Sequence, residues 1–158
     1  DRECPALDRA RAAGVETAVV PMQHERSHWD EQLAKSVGTP DLIVSAGFMK
    51  ILGPSFVQKF RGRLINTHPA LLPSFPGAHA VRDALDYGVK VTGSTVHYVD
   101  EGVDTGPIIA QRAIDIQLGE REDELHERIK KVERELLVAL LQSAEVEQDS
   151  KKVVFHHN

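Results

Sequence analysis

At 158 residues, with 41% hydrophobic and 27% charged side chains, the chain has the composition of a folded globular protein, long enough for one domain and short for two. A net charge of -5 without clustered Lys and Arg argues against a broad phosphate-binding footprint, and so against nucleic acid as a partner. The single cysteine, Cys4, excludes an intrachain disulfide and favours a reducing, cytoplasmic setting, while no run of about 18 apolar residues offers a membrane span and residues 1–5 do not resemble a signal peptide.

In chain order, residues 6–13 carry Leu7, Ala10 and Ala13 at helical spacing, and Gly14 stands where a helix end favours positive φ. Glu16-Thr17-Ala18-Val19-Val20 is β-prone and closed by Pro21, which predicts a strand. Ser27 is placed to cap a helix running to Val37, with Trp29, Leu33 and Val37 on one face and Gly38 and Pro40 at its end. Asp41-Leu42-Ile43-Val44-Ser45-Ala46 is apolar without alternation, as a strand covered on both faces of a parallel sheet should be, and it is the expected central strand.

A short helix over 53–60, opened by Pro54, precedes a strand at Leu64–His68, and this alternation favours an α/β fold with a parallel sheet. A helix over 80–87 stops at Gly88, and strands over 91–99 and 107–116, joined by a turn at 102–106, read as antiparallel additions. The longest helix is expected over 122–145, with Leu125, Ile129, Val132, Leu136, Leu140 and Leu141 as its core-facing stripe. Residues 145–150 read as a polar connection and 151–155 as a last strand.

Chemistry concentrates at the end of the 64–68 strand. Asn66 and His68 lie two apart, so both side chains leave the same face and can converge on one atom, at the carboxyl end where open α/β sheets bind ligands. Such a pair also serves as an ordinary structural hydrogen-bonding group. Asp104, between Gly102 and Gly106, stands where backbone can approach a ligand closely, or is a turn aspartate bonding its own backbone. Asn, His and Asp are the types an acyl transfer needs: donors for a developing oxyanion and a proton relay.

The segment His24-Glu25-Arg26-Ser27-His28 satisfies the zinc-protease pattern, but it falls at a connection, with eight histidines in the chain to generate it by chance, and no metal is expected. His79 reads as a loop residue near the cleft, His126 as an exposed helix position, and His156 and His157 as tail residues.

Five ordered blocks, Gly47-Phe48-Met49-Lys50-Ile51-Leu52, Asn66-Thr67-His68-Pro69-Ala70-Leu71-Leu72-Pro73, Pro76-Gly77-Ala78-His79, Gly93-Ser94-Thr95-Val96-His97 and Asp104-Thr105-Gly106-Pro107-Ile108, give the chain a pattern that resembles the glycinamide ribonucleotide formyltransferases. The resemblance runs from near residue 1 to about residue 140, leaving 146–158 as a divergent tail on a single domain over 1–158. It implies a Rossmann-like formyltransferase fold: a mostly parallel sheet with helices on both faces and an antiparallel extension. The family's first strand, Gly-rich phosphate loop, helix and second strand have no counterpart before Asp1, and the domain is expected to be incomplete there.

The same resemblance implies that Asn66 and His68 stabilise a tetrahedral intermediate while Asp104 holds His68 protonated and moves protons. It implies a folate pocket from Met49, Lys50, Ile51, Leu52, Val99, Asp100, Gly102 and Val103, with Glu133 and Pro69 at the nucleotide substrate and Thr95 and His97 as supporting residues. Lys50 stands where many relatives have Arg. The implied reaction moves a formyl group from 10-formyltetrahydrofolate, a cosubstrate, to the amine of glycinamide ribonucleotide in purine biosynthesis, in a monomer or homodimer without metal. The alternatives are a formyltetrahydrofolate hydrolase, in which water attacks, and an inactive folate-binding fragment. A methionyl-transfer-RNA formyltransferase would bring an Arg-Gly segment after Leu71-Leu72-Pro73 and a basic carboxyl-terminal domain, and these residues contain neither.

Overall fold

Strands pair because each brings a row of backbone donors and acceptors that must be satisfied. In the computed structural model, which describes residues 2–48 and 50–156, four strands do so in the order β1-β2-β3-β4. β1 is Ile43–Ser45, β2 Leu64–His68, β3 Val91–Tyr98 and β4 Ile108–Asp115. β1 and β2 run parallel; β2–β3 and β3–β4 are antiparallel, so the expected antiparallel extension supplies two of the three pairings in this sheet.

The helices are α1 (Pro5–Ala12), α2 (Arg26–Val37), α3 (Pro54–Lys59), α4 (Ala80–Tyr87) and α5 (Glu122–Gln142). Helices α2 to α5 divide between the faces as the side-chain alternation of β2 dictates, while α1 buries none of its residues. Leu64 joins Phe56 and Val57 of α3 and Phe60 just after it, with Leu33 and Val37 of α2 packed against them. Ile65, one residue on, joins Val96 and Ala110 against Leu136 and Leu140 of α5. A third cluster, Val81, Leu125 and Ile129, ties α4 to α5. The fold is thus α/β with helices on both faces, and the stripe expected on the long helix is buried at Leu125, Ile129, Leu136 and Leu140, while Leu141 is 40% exposed.

Several local expectations are corrected. Residues 16–20 form no strand: β propensity alone makes none without a partner edge, and the Val20 carbonyl is instead taken by the indole N–H of Trp29 at 3.2 Å. Ser27 is not the cap of α2. The helix begins at Arg26, two residues earlier than a Ser27 cap would set it, Glu25 holds the cap position, and the Ser27 hydroxyl donates to the Glu25 carboxylate at 3.2 Å. β1, expected to be central, is an edge strand among the described residues, with all three of its residues half-buried.

α5 ends at Gln142, and the expected connection over 145–150 begins as strand β5 (Ala144–Val146), which pairs with β6 (Val153–Phe155) as a separate hairpin. The tail is fastened to the core: Tyr98 donates its hydroxyl to the Val153 carbonyl at 2.6 Å, and Val153 donates its N–H to Gly62 at 2.9 Å. His24 lies outside α2 and His28 within it, so the zinc-protease pattern lacks its shared helix face. His126 is half-buried rather than exposed. Among the described residues no helix is long and apolar enough to cross a membrane.

Gly93 is the tightest point of β3: a Cβ there would collide with the backbone carbonyl of Arg112 on β4. Because the obstacle is backbone in the middle of the sheet, Gly93→Ala is expected to cost about 1–3 kcal/mol, read as a lowered denaturant midpoint. An unchanged midpoint would show that the β3–β4 ladder yields freely.

Candidate active site

The register of β2 against β3 sets Asn66 opposite His97 and His68 opposite Thr95, all on the sheet face away from α5. Opposed side chains of an antiparallel pair lie about 5 Å apart at Cβ, close enough to touch. The Asn66 amide nitrogen is accordingly 3.5 Å from His97 Nε2. His97 faces the Tyr98 carbonyl through Nδ1 at 2.9 Å, which fixes a proton on that nitrogen. A register shift between Val96 and His97 interrupts the β3–β4 ladder at this point, and bulges commonly re-aim side chains beside active sites.

The loop after β3 brings Asp104 to these residues. Its Oδ2 is 3.4 Å from His68 Nδ1 and its Oδ1 3.6 Å from His97 Nε2, with the three side chains 11%, 5% and 3% exposed in the order Asp104, His68, His97. The Gly77 N–H donates to the same Oδ2 at 2.8 Å. Asp104 takes a positive φ of 54°, a conformation that Asp tolerates better than most residues and one that turns its carboxylate inward. The turn role open to Asp104 belongs instead to Asp100, whose Oδ1 accepts from the Gly102 N–H at 3.0 Å and the Thr105 hydroxyl at 2.6 Å. An ion pair between Arg61 and Glu101 spans from the end of α3 to this loop.

His68 is held on its other side. Its Nε2 donates to the Phe75 carbonyl at 2.7 Å, so both ring nitrogens face acceptors. The Phe75 carbonyl and Gly77 N–H escaped sequence reading because backbone groups leave no mark in side-chain identity; the Pro- and Gly-broken run at 73–77 was the available signal.

Of the residues expected at a folate pocket, Leu52 and Val99 pack against the Phe56–Leu64 cluster, and Leu52 and Leu64 help line an apolar cleft of about 190 Å³ with Leu33, Val37, Ile43 and Phe48. Lys50 and Gly102 are exposed, as are Ile51 and Val103, the latter two at 73% and 53%. Asp100 is half-buried in its turn, and Met49 lies outside the described residues. Pro69 follows β2, half-buried, and Thr95 is fully buried under the same loop.

Glu133 is not among the converging side chains. It projects from α5 to Thr67, whose alternation carries it to the face opposite Asn66 and His68. Burial raises its carboxyl above the ordinary value; the Thr67 hydroxyl, then the charges of His126, Arg134 and His68, act in the opposite sense without cancelling it. No group of three or more His, Cys, Asp or Glu residues among the described residues is arranged to hold a metal ion.

An amide and an imidazole from the end of β2 and a carboxylate from the loop after β3 thus share one cleft of an α/β sheet. The formyl transferase family model matches residues 3–141, and the chain belongs to that family. It is 56% identical over 143 residues to a phosphoribosylglycinamide formyltransferase of Mycobacterium tuberculosis, covering 88% of this chain and 66% of that protein. It is 46% identical over 131 residues to the trifunctional purine biosynthetic protein adenosine-3 of Drosophila melanogaster, covering 80% of this chain and 10% of that one. Among solved structures, glycinamide ribonucleotide transformylase 1 from Symbiobacterium toebii superposes with a TM-score of 0.84 at 34% identity, covering 99% of this chain and 77% of that one.

The raised Glu133 carboxyl makes a stability prediction. Its folded value lies above the unfolded one, so its favourable contribution is complete below the ordinary value of 4.5 and is lost as pH rises through the folded value. Glu133→Gln keeps an acceptor for Thr67 and removes that loss. The melting temperature of the variant relative to wild type is therefore expected to rise as pH climbs past the ordinary carboxyl value of 4.5. A flat difference would show that Glu133 titrates as if exposed.

Proposed function

We propose that this cleft transfers the formyl group of 10-formyltetrahydrofolate to the amine of glycinamide ribonucleotide, with Asn66, His68 and Asp104 as the reacting set. The observation that carries the reading is the convergence of the Asp104 carboxylate on His68, beside Asn66, at the carboxyl end of β2. The family and the similarity to phosphoribosylglycinamide formyltransferases support it. The chain spans 66% of the length of the Mycobacterium relative, and the proposal concerns the chemistry that these residues can perform.

In this reading the substrate amine attacks the formyl carbon, and the C=O electrons move onto oxygen. Asn66 donates from its amide nitrogen and His68 from Nδ1, the ring nitrogen held more loosely, at 3.4 Å from Asp104 against 2.7 Å for Nε2 at Phe75. Preorganised donors of this kind stabilise charge that appears only in the transition state, by about 3–4 kcal/mol each. Asp104 accepts the proton that the attacking amine must lose. That proton is delivered to the folate nitrogen as the carbon–nitrogen bond to the carrier breaks, which leaves tetrahydrofolate and a formylated amine. The apolar cleft beside Leu52 offers the folate a surface on which a flat ring can shed water. The family resemblance assigns Pro69 and Glu133 to the nucleotide side, with Glu133 lying beside Thr67 on the face opposite Asn66 and His68.

The test is a formyl-transfer assay with 10-formyltetrahydrofolate and glycinamide ribonucleotide, run on wild type and on His68→Ala in the full-length natural protein. Formylated nucleotide from wild type and a turnover lower by about a hundredfold or more in the variant are expected, the scale of losing an oxyanion donor. Formate release without formylated nucleotide would mean that water is the acceptor, and unchanged turnover in the variant would remove His68 from the mechanism.

A further inference from the structure

The partners of His68 are backbone groups of the loop over residues 69–77, and something must hold that loop. Three hydrogen bonds converge on one buried hydroxyl beneath it. Thr95 Oγ1 donates to the Ala70 carbonyl at 2.7 Å, accepts from the Leu72 N–H at 3.1 Å, and accepts from Gln111 Nε2 at 3.0 Å. A hydroxyl has one proton and two lone pairs, and here all three are used.

Gln111 completes the junction. Register places it opposite Thr95 on β4, and its second amide hydrogen goes to the Leu72 carbonyl at 2.8 Å. That carbonyl can only accept, so the nitrogen of the Gln111 amide must face it. One amide and one hydroxyl thereby fasten both polar groups of Leu72 and the carbonyl of Ala70 to the sheet. Three residues further on, the same loop presents the Phe75 carbonyl to His68 Nε2, at a residue with φ of 53°, and then the Gly77 N–H to Asp104.

We propose that Gln111 and Thr95 are positioning residues for the reaction: they set the orientation of His68 through the loop without touching substrate. This rests on the reading of His68 as a reacting group. Gln111 acts at a distance of three links, Gln111 to Leu72, Leu72 to Phe75, and Phe75 to His68. Removing the amide leaves the Leu72 carbonyl without its partner and the Thr95 hydroxyl one donor short. Removing the hydroxyl as well leaves the Leu72 N–H and Ala70 carbonyl buried and unpaired, a loss that a relaxing loop relieves by moving. Movement of the loop carries the Phe75 carbonyl away from Nε2, and misplacement by about 1 Å can cost about a hundredfold in rate.

The variants are Gln111→Leu, Thr95→Val and Thr95→Ser in the full-length natural protein. The readouts are kcat and KM for both substrates, and the His68 Nε2–H signal by ¹⁵N NMR without substrate, assigned by its absence in His68→Ala. Gln111→Leu and Thr95→Val are expected to lower kcat by about tenfold or more with both KM values changed less than about threefold, and to bring the Nε2–H signal into exchange with water. Thr95→Ser, which keeps the hydroxyl, is expected to restore the signal and to stay within about twofold of wild-type kcat.

An Nε2–H signal as protected in Gln111→Leu as in wild type would overturn the proposal, and so would a wild-type kcat in that variant. Gln111 is an exposed residue of the outer strand, so its variant stays folded and decides the matter even where Thr95→Val does not. A wild-type protein that formylated nothing would defeat the functional reading, and the NMR signal would then judge the positioning alone.

Discussion

The carboxylate of Asp104 is the point on which the cleft depends. It is only 11% exposed, and a carboxylate so placed needs partners for both oxygens. One oxygen takes the Gly77 N–H and faces His68; the other faces His97, which in turn lies against Asn66. Four segments distant in sequence meet there: β2, the loop after it, β3, and the loop after β3. Three of them bring a group to the Asp104 carboxylate that the fourth carries, so a shift of any one disturbs the set. The backbone conformation at Asp104, at a φ of 54°, is of the kind that persists only where the surroundings hold it.

The sheet is what lets those segments meet. A parallel pair alone would leave the ends of β1 and β2 with a cleft but no second wall. Antiparallel β3 returns past the end of β2 and sets His97 and Thr95 directly across from Asn66 and His68. β4 then returns beneath the loop and sets Gln111 across from Thr95. The bonds that hold the loop come from side chains on adjacent strands, and the bonds that hold the reacting groups come from loop backbone. Rigid elements carry the positions, and loops carry the fine orientation.

How much of this the sequence discloses depends on the range of the interaction. The same-face placement of Asn66 and His68 follows from a period of two, and helices expected over 53–60 and 80–87 from local signals at Pro54 and Gly88 are present as Pro54–Lys59 and Ala80–Tyr87. Asp104 is different. Local reasoning made it a turn aspartate, and the turn exists, but Asp100 makes it. Nothing in the neighbouring residues says which of two aspartates four apart will turn inward, because the choice is made by Gly77 and the histidines from elsewhere in the chain. Gln111 left even less trace: in sequence it is one more residue of an alternating strand, and its weight appears only when register sets it opposite Thr95. The β-prone run at 16–20 fails for the converse reason, since its propensity is real but no described strand edge meets it.

The two sheet faces then have different tolerances. Beneath α5 the contact is mostly apolar, and its polar groups are poorly served: Thr92 and Ser94 bury hydroxyls without partners, and Glu133 sits where burial works against its charge. Those are costs borne by a layer whose stability comes from Leu125, Ile129, Leu136 and Leu140. On the opposite face, beneath the loop, the hydroxyl of Thr95, buried to the same degree as Ser94, is matched at every valence. The difference is physical. A packed helix can absorb an unmatched hydroxyl by spreading the cost over many contacts, whereas a loop of nine residues held by a few hydrogen bonds loses its conformation when one of them fails, and the orientation of His68 goes with it.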